Sequence, residues 1–464
     1  MSYRLLIILS ILTIFSCKNS EEKVIESSWI GGEIINPVTD YVIITKDNVL
    51  LDTVMLNEKN GFIYEVENAE PGLYSFNHNE YQIFYFEPKD SLLLRVNTLD
   101  FDESLTYTGK GSEKNNLLME FFLTNEEENK IVQTWYQLNP LEFEKKIDSL
   151  KNERIVKLEN FLLENETSGN FEEVAMHNIN YDHYSKKEQY VTANADNLQN
   201  INFPSNFFDY RLSIDFNKIA YFSSYPYNRF LNRYFENLAF SKYSNNAKFD
   251  RNSFDHINYE VKLIDSMVSN DAIKNNLLRT NVRRYLLNEK DVAKEKHIEQ
   301  LFSKMNNNPA HKNEIKRLFE AIAKLAPGNF LPEVSVVTFD NATRKLKSLI
   351  SKPTVLYFWT NASVMQYKKL HNRAMELKAK YPAFDFIAIN SDENFKTWKR
   401  IVKQNNFNPS SEYQFNDKVE AQQTLVLNLM TKAIIVDGDG KILDGNSNLL
   451  SNTIEEELLG FLNK

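Results

Sequence analysis

Of the 464 residues 42% are hydrophobic and 25% charged, with 32 phenylalanines and 23 tyrosines but a single cysteine. Such a chain can build proper cores and cannot staple them with disulfides. The net charge of −9 and the pI near 5.5 argue against a nucleic-acid partner, which needs a concentrated basic surface; the length suggests about three domains.

At the amino terminus Arg4 precedes the apolar run Leu5 to Phe15, which is too short to span a bilayer as a permanent helix and reads as a signal peptide over residues 1–16. The run ends in Ile14-Phe15-Ser16-Cys17, which resembles the lipobox of bacterial lipoproteins: an aliphatic residue at −3, a small one at −1, then the lipidated cysteine. That resemblance implies palmitate on Cys17 and a chain held to the outer membrane by this anchor, facing the periplasm or the cell surface. Residues 17–28, polar from Lys18 to Lys23, read as a lipidated tether, and no later run is long enough to be a transmembrane helix.

From residue 29 to 112 short β-rich runs follow at close spacing: Trp29–Ile35, Tyr41–Thr45, Val49–Leu56, Phe62–Val66, Leu73–Phe76, Tyr81–Phe86, Leu92–Val96 and Leu105–Tyr107. Turn signals such as Asn36-Pro37, Asn60-Gly61 and Pro71-Gly72 separate them, a pattern that predicts an antiparallel β-sandwich or open barrel. Gly31-Gly32 in the first strand and Gly111-Ser112-Glu113-Lys114-Asn115 running into a helix resemble the small β domain that precedes a thioredoxin-like domain in many outer-membrane lipoproteins.

Residues 113–326 change period, with Phe143, Ile147, Leu150, Leu158, Phe161 and Leu162 at helical spacing. Further helices are predicted at Phe171–Tyr184, Tyr227–Phe240, Tyr259–Val268, Asp271–Leu287, Val292–Met305 and Lys312–Leu325; Phe203–Tyr210 and Tyr221–Tyr227 read as aromatic connections. Arg283-Arg284, and His177 and His183 with Asp182, read as solvated helix surface. Glu172-Glu173 point in different directions and suggest no paired-carboxylate chemistry.

After Ala326-Pro327-Gly328 breaks the last helix, strands and helices alternate over residues 327–464: Thr354–Trp359, Val364–Lys380, Phe384–Asn390, Phe395–Gln404, Ala433–Val436, Lys441–Leu443 and Ile454–Leu462. This order means βαβ units on a mixed sheet. The whole reads as an α+β multidomain chain: an amino-terminal antiparallel β-sandwich, a helical middle domain and a carboxy-terminal thioredoxin-like α/β domain.

Leu331-Pro332-Glu333-Val334, Lys352-Pro353-Thr354-Val355-Leu356-Tyr357-Phe358-Trp359, Ile389-Asn390-Ser391-Asp392-Glu393 and Val436-Asp437-Gly438-Asp439-Gly440-Lys441-Ile442 stand in the order and spacing of the thioredoxin-like domain of the TlpA/ResA family of membrane-tethered thiol–disulfide oxidoreductases, which this segment resembles. That family carries W-C-x-x-C where the helix starts, its amino-terminal dipole stabilising a thiolate, and a cis-proline facing it. The resemblance sets Ala362 at the tryptophan, Ser363 and Gln366 at the cysteines, and Thr431 at the proline. Scaffold and chemistry therefore part company, and thiol–disulfide exchange is not expected.

The candidate groove comprises Trp359, Ser363, Gln366 and Thr431, with Asn361 or Ser363 as a plain helix N-cap the simpler reading. Ser363 lacks a nucleophile-elbow motif, and His371 lies two turns down the same helix. The histidines 78, 177, 183, 256, 297, 311 and 371 form no zinc spacing, and Asp437-Gly438-Asp439-Gly440 fits a hairpin turn, not a calcium loop. Neither a cofactor nor a metal is implied. The leading expectation is a binding or scaffold lipoprotein with a peptide or protein partner; the alternatives are an enzyme of unrecognised type, or a module presenting clients to another protein's thiols.

Overall fold

The computed structural model describes residues 27–47, 49–243, 248–429 and 431–463. The signal segment and Cys17 lie outside the described residues. Two compact units result, one made of residues up to His183 with Ala220–Asn228, the other of Tyr184–Ile219 and the chain from Arg229 onward.

In the first unit β1 (Trp29–Ile35), β4 (Gly61–Glu65), β7 (Ser91–Asn97) and β8 (Thr106–Lys110) form one sheet in the order β4-β1-β7-β8. β2 (Tyr41–Lys46), β3 (Val49–Met55), β5 (Gly72–His78) and β6 (Glu80–Phe86) form the other, in the order β3-β2-β5-β6. Alternate residues of both sheets, among them Ile30, Ile34, Val42, Ile44, Phe76, Phe84, Leu92 and Leu94, bury into one core. The expectation of purely antiparallel pairing needs correction, because β1 and β7 run parallel over their whole length. The chain leaves β1, builds four of the intervening five strands into the second sheet, and returns to β1 in the same direction, which a hairpin could not do.

Helix α1 (Phe101–Ser104) is a single turn that the β-rich reading missed; α2 (Ser112–Val132) follows β8. Two neighbouring asparagines fasten α2: Asn115 exchanges hydrogen bonds with Tyr85 N and O at 2.7 and 2.8 Å, and Asn116 does the same with Tyr107 at 3.1 and 3.0 Å. Two long helices, α3 (Pro140–Glu164) and α4 (Gly169–Ala193), come next. Here the solvated-surface reading fails. Asp182 is buried against Arg154 at 2.9 Å, His183 is buried with Nε2 2.8 Å from Asp148, and the His177 ring stacks on Tyr221. Polar residues on a helix read as surface unless a second helix supplies the opposite charge, and α3 does so.

The second unit contains α5 (Tyr225–Phe240, from Arg229), α6 (Phe254–Met267), α7 (Asp271–Leu286), α8 (Val292–Met305) and α9 (Pro309–Lys324). Pro226 falls in the first turn of α5, where its missing N–H costs nothing, so the second aromatic connection is shorter than expected. Arg284 is likewise no solvated residue: it bridges Glu236 at 2.5 Å and the fully buried Glu260 at 2.8 Å.

The carboxy-terminal sheet has seven strands in the order β10-β9-β13-β12-β11-β14-β15. They are β9 (Ser335–Val337), β10 (Thr343–Lys345), β11 (Thr354–Trp359), β12 (Asp385–Asn390), β13 (Glu412–Phe415), β14 (Lys432–Val436) and β15 (Ile442–Asn448). β11, β12 and β13 are parallel, and β14 is antiparallel to β11. Helices α10 (Val364–Lys380), α11 (Phe395–Gln404), α12 (Lys418–Thr424) and α13 (Ile454–Leu462) complete it. β11 is buried on both faces, as a central parallel strand must be. Val355, Tyr357 and Trp359 pack with Leu370 and Leu377 of α10, whereas Leu356 and Phe358 pack with Ile434 and Leu325. Gly445 in β15 is required by close approach: a Cβ there would stand 2.1 Å from the Leu325 carbonyl oxygen.

Candidate functional site

β11 ends at Trp359, and the next four residues turn into α10. Thr360 and Asn361 are pinned by one carboxylate: Asp392 accepts from Thr360 Oγ1 at 2.7 Å and from the Asn361 N–H at 2.6 Å. Asn390, fully buried, donates to the same carboxylate at 3.1 Å, and Gln414 Nε2 donates to Asn390 Oδ1 at 3.1 Å and to the Asp392 carbonyl at 2.8 Å. Strand ends of β12 and β13 thus hold the loop at the carboxyl edge of the sheet, where crevices in open α/β sheets form.

Ser363 is the N-cap of α10, its Oγ accepting from the Gln366 N–H at 3.4 Å. This contact brings two of the candidate residues together, and it is a capping contact. The register of β11 on β14 pairs Thr354 with Val436 and Tyr357 with Ala433; carried two residues further it sets Thr431 opposite Trp359. Thr431 also shares the alternation of Ala433 and Ile435, which pack on the α10 side of the sheet. Its carbonyl accepts from Leu449 N at 2.9 Å and is not free to pair with an added strand. Beside the cap, Val364 is 56% and Met365 81% exposed, so the surface of this corner is apolar where the TlpA/ResA resemblance would set residues between two cysteines.

Below Trp359 lies a polar pair that the sequence reading did not assemble. His371 Nε2 is 2.9 Å from Glu412 Oε1 and Nδ1 is 2.7 Å from the Tyr367 carbonyl, with both side chains buried. The His371 ring stacks on Phe407 with centroids 3.7 Å apart and meets Trp359 edge-on at 5.3 Å. Burial pushes the Glu412 carboxyl above its usual range, while His371 and the nearby Trp359 indole N–H pull it back down; the indole N–H falls short of a well-formed hydrogen bond. Both His371 and Glu412 are buried, and among the described residues neither shares a hydrogen bond with Ser363. The signal that could have found it is the alternation Glu412-Tyr413-Gln414-Phe415, which turns two polar residues to the same side.

Asp437 Oδ1 accepts from the N–H groups of Asp439 and Lys441 at 2.9 and 2.8 Å, and Gly440 has φ +79°, a hairpin turn made by a side-chain oxygen.

The carboxy-terminal part is a thioredoxin-like domain: a family model described as Thioredoxin-like matches residues 351–442, a stretch well short of half the chain. Among solved structures the chain is similar to the thioredoxin domain of a thiol-disulfide oxidoreductase from Bacteroides vulgatus, at 19% identity, covering 29% of this chain and 98% of that one with a TM-score of 0.24. It is also similar to a thiol:disulfide interchange protein from a Bacteroides species, at 20% identity, 30% and 93% coverage and a TM-score of 0.24. Likeness at this level carries nothing about activity. No curated protein matches the chain.

Proposed function

We propose that the protein is a membrane-anchored lipoprotein of the cell envelope whose thioredoxin-like domain is redox-inactive and serves as a binding module. The observation that carries this reading is the first turn of α10. Ser363 and Gln366 occupy the cap and first turn without sulfur, the chain's one cysteine is Cys17, and Val364 and Met365 stand open to solvent beside them. A helix start stabilises a thiolate only if a thiol is there; what is left is an apolar corner on a rigid loop. Exposed apolar side chains on a braced scaffold suit a protein partner, and an extended segment lying across Met365 toward Thr431 fits the corner better than one pairing with the engaged Thr431 carbonyl.

Among the described residues no helix is long and apolar enough to cross a membrane, so attachment in this reading rests on Cys17 alone. Photo-cross-linking in cells tests the binding role. A photoreactive residue at Met365 should give a discrete adduct, and the same residue at Met375, 62% exposed on the same helix, should not. Equal yields at both sites, or none at Met365, would sink the reading.

A further inference from the structure

The face of the seven-stranded sheet opposite α10 carries a cavity separate from the Ser363 corner. It lies between the end of α7, the start of α8, the chain leaving α9, and strands β14 and β15, with about 70 Å³ open to water-sized molecules. Its walls are largely apolar, with Leu286, Val292, Ile322, Leu325 and Val426 among them. Two wall residues are different. Lys432 is 2% exposed and Glu295 1% exposed.

Lys432 Nζ donates to the Val426 carbonyl at 3.0 Å and reaches no carboxylate within ion-pair distance among the described residues. Asp444, which lines the same cavity, is taken by Lys290 at 2.7 Å. Glu295 Oε2 is sealed from solvent with no hydrogen-bond partner among the described residues. Each group costs the fold free energy that an apolar side chain would not. Burial pushes the lysine down to about 7, and burial with Glu289 and Asp291 nearby pushes the glutamate up to about 7. Near neutral pH the cavity therefore offers a free amine and a carboxylic acid in apolar surroundings, a combination found at reacting sites more than in scaffolds.

We propose that this cavity takes a small apolar aldehyde or ketone and that Lys432 Nζ captures it as an imine. The nitrogen lone pair forms the C–N bond while the carbonyl π pair moves to oxygen, which is protonated to give a carbinolamine. Loss of the nitrogen-bound proton and departure of the hydroxyl as water, with cleavage of the C–O bond, leaves C=N. One carbonyl compound and one amine give one imine and one water, and no oxidant or reductant is needed. Glu295, which lines the same cavity from α8, is the acid that protonates the departing oxygen and the base that takes the proton from nitrogen. An uncharged ligand is indicated because neither wall group presents a counter-charge to offset the desolvation of a buried ion.

The test treats the full chain with butanal and cyanoborohydride at pH 7 and maps the butylated lysines by mass spectrometry. Lys432 should react about tenfold faster or more than Lys290 at the rim of the same cavity, and the advantage should shrink toward pH 10 as exposed lysines lose their protons. Ala326→Leu, which fills the cavity from the linker side, should remove the advantage, and Glu295→Gln should slow the reaction without abolishing it. Lys432 reacting no faster than Lys290 in the unaltered chain, or at an unchanged rate in Ala326→Leu, would overturn the proposal.

Discussion

The two faces of the seven-stranded sheet treat buried charge in opposite ways. On the α10 face Glu412 is buried with a partner, His371 at 2.9 Å, itself anchored to the Tyr367 carbonyl. On the other face Lys432 and Glu295 are buried without an oppositely charged partner within ion-pair distance among the described residues, Lys432 holding the Val426 carbonyl instead. Adjacent residues at the start of β14 lead to these two environments, since Thr431, just before the strand, follows the alternation of the first face and Lys432, its first residue, that of the second. A buried pair stiffens a scaffold, although Glu412 Oε2 has no hydrogen-bond partner among the described residues; buried ionisable groups without an oppositely charged partner, set beside a cavity, are a standing cost that a ligand can relieve. By that criterion the α10 face is the scaffold, and the opposite face is where the proposed reactivity resides.

The largest effect that can break this comparison comes from the buried His371–Glu412 pair. His371→Ala should destabilise the thioredoxin-like domain by about 3 to 5 kcal/mol, because it strands a buried carboxyl. The double change His371→Leu with Glu412→Leu should cost less than either single change, read by urea titration with tryptophan fluorescence. If the double variant is the worst of the three, the pair does more than satisfy itself.

Lys432→Met tests the other face, with the opposite sign. The folded-state amine titrates near 7 against an ordinary value of 10.5. Between these values unfolding takes up a proton, so the unaltered protein gains stability as pH rises through that window. Lys432→Met should be the more stable form at pH 6 by about 2 to 4 kcal/mol, and the gap should close by about pH 10.5. A pH-independent difference would show that Lys432 is not buried as described.

Smaller effects sharpen the picture at the corner. Ser363→Ala should lose about 1 kcal/mol as a cap and Ser363→Asp should restore it, with melting temperature as the readout. Met365→Asp should change stability by no more than about 0.5 kcal/mol while removing the partner adduct. If it unfolds the domain, Met365 is not the free surface residue that its exposure describes.

What could be read from the sequence follows the strength of local signals. Thr354–Trp359 is a continuous apolar run between a proline and a cap, and both its limits and those of α10 agree with the structure. β13 was missed because four residues, two of them polar, carry too little periodicity. Yet Glu412 and Gln414 on that strand furnish the floor under Trp359 and the brace on the loop. Lys432 was overlooked for a related reason: a lysine at a strand start reads as a solubilising flank, and only the helices packed on that face bury it. Asp182, His183 and Arg284 fail in the same direction, since a polar residue announces its partner only in three dimensions. The strand–loop–helix order, by contrast, was enough to narrow the cap to Asn361 or Ser363, and the structure selects Ser363.

Close packing at Gly445 makes β15 sensitive to the smallest added side chain. At Gly445 the strand and the chain leaving α9 meet backbone to backbone, with no room for a methyl group beside the Leu325 carbonyl. Gly445→Ala would leave every candidate surface intact and wedge the junction beside the cavity. Such a substitution should behave as a conditional allele, tolerated at low growth temperature and lost at high. Second-site suppressors would be expected in the segment around Leu325 and Ala326, because small shifts there can make room for the added carbon.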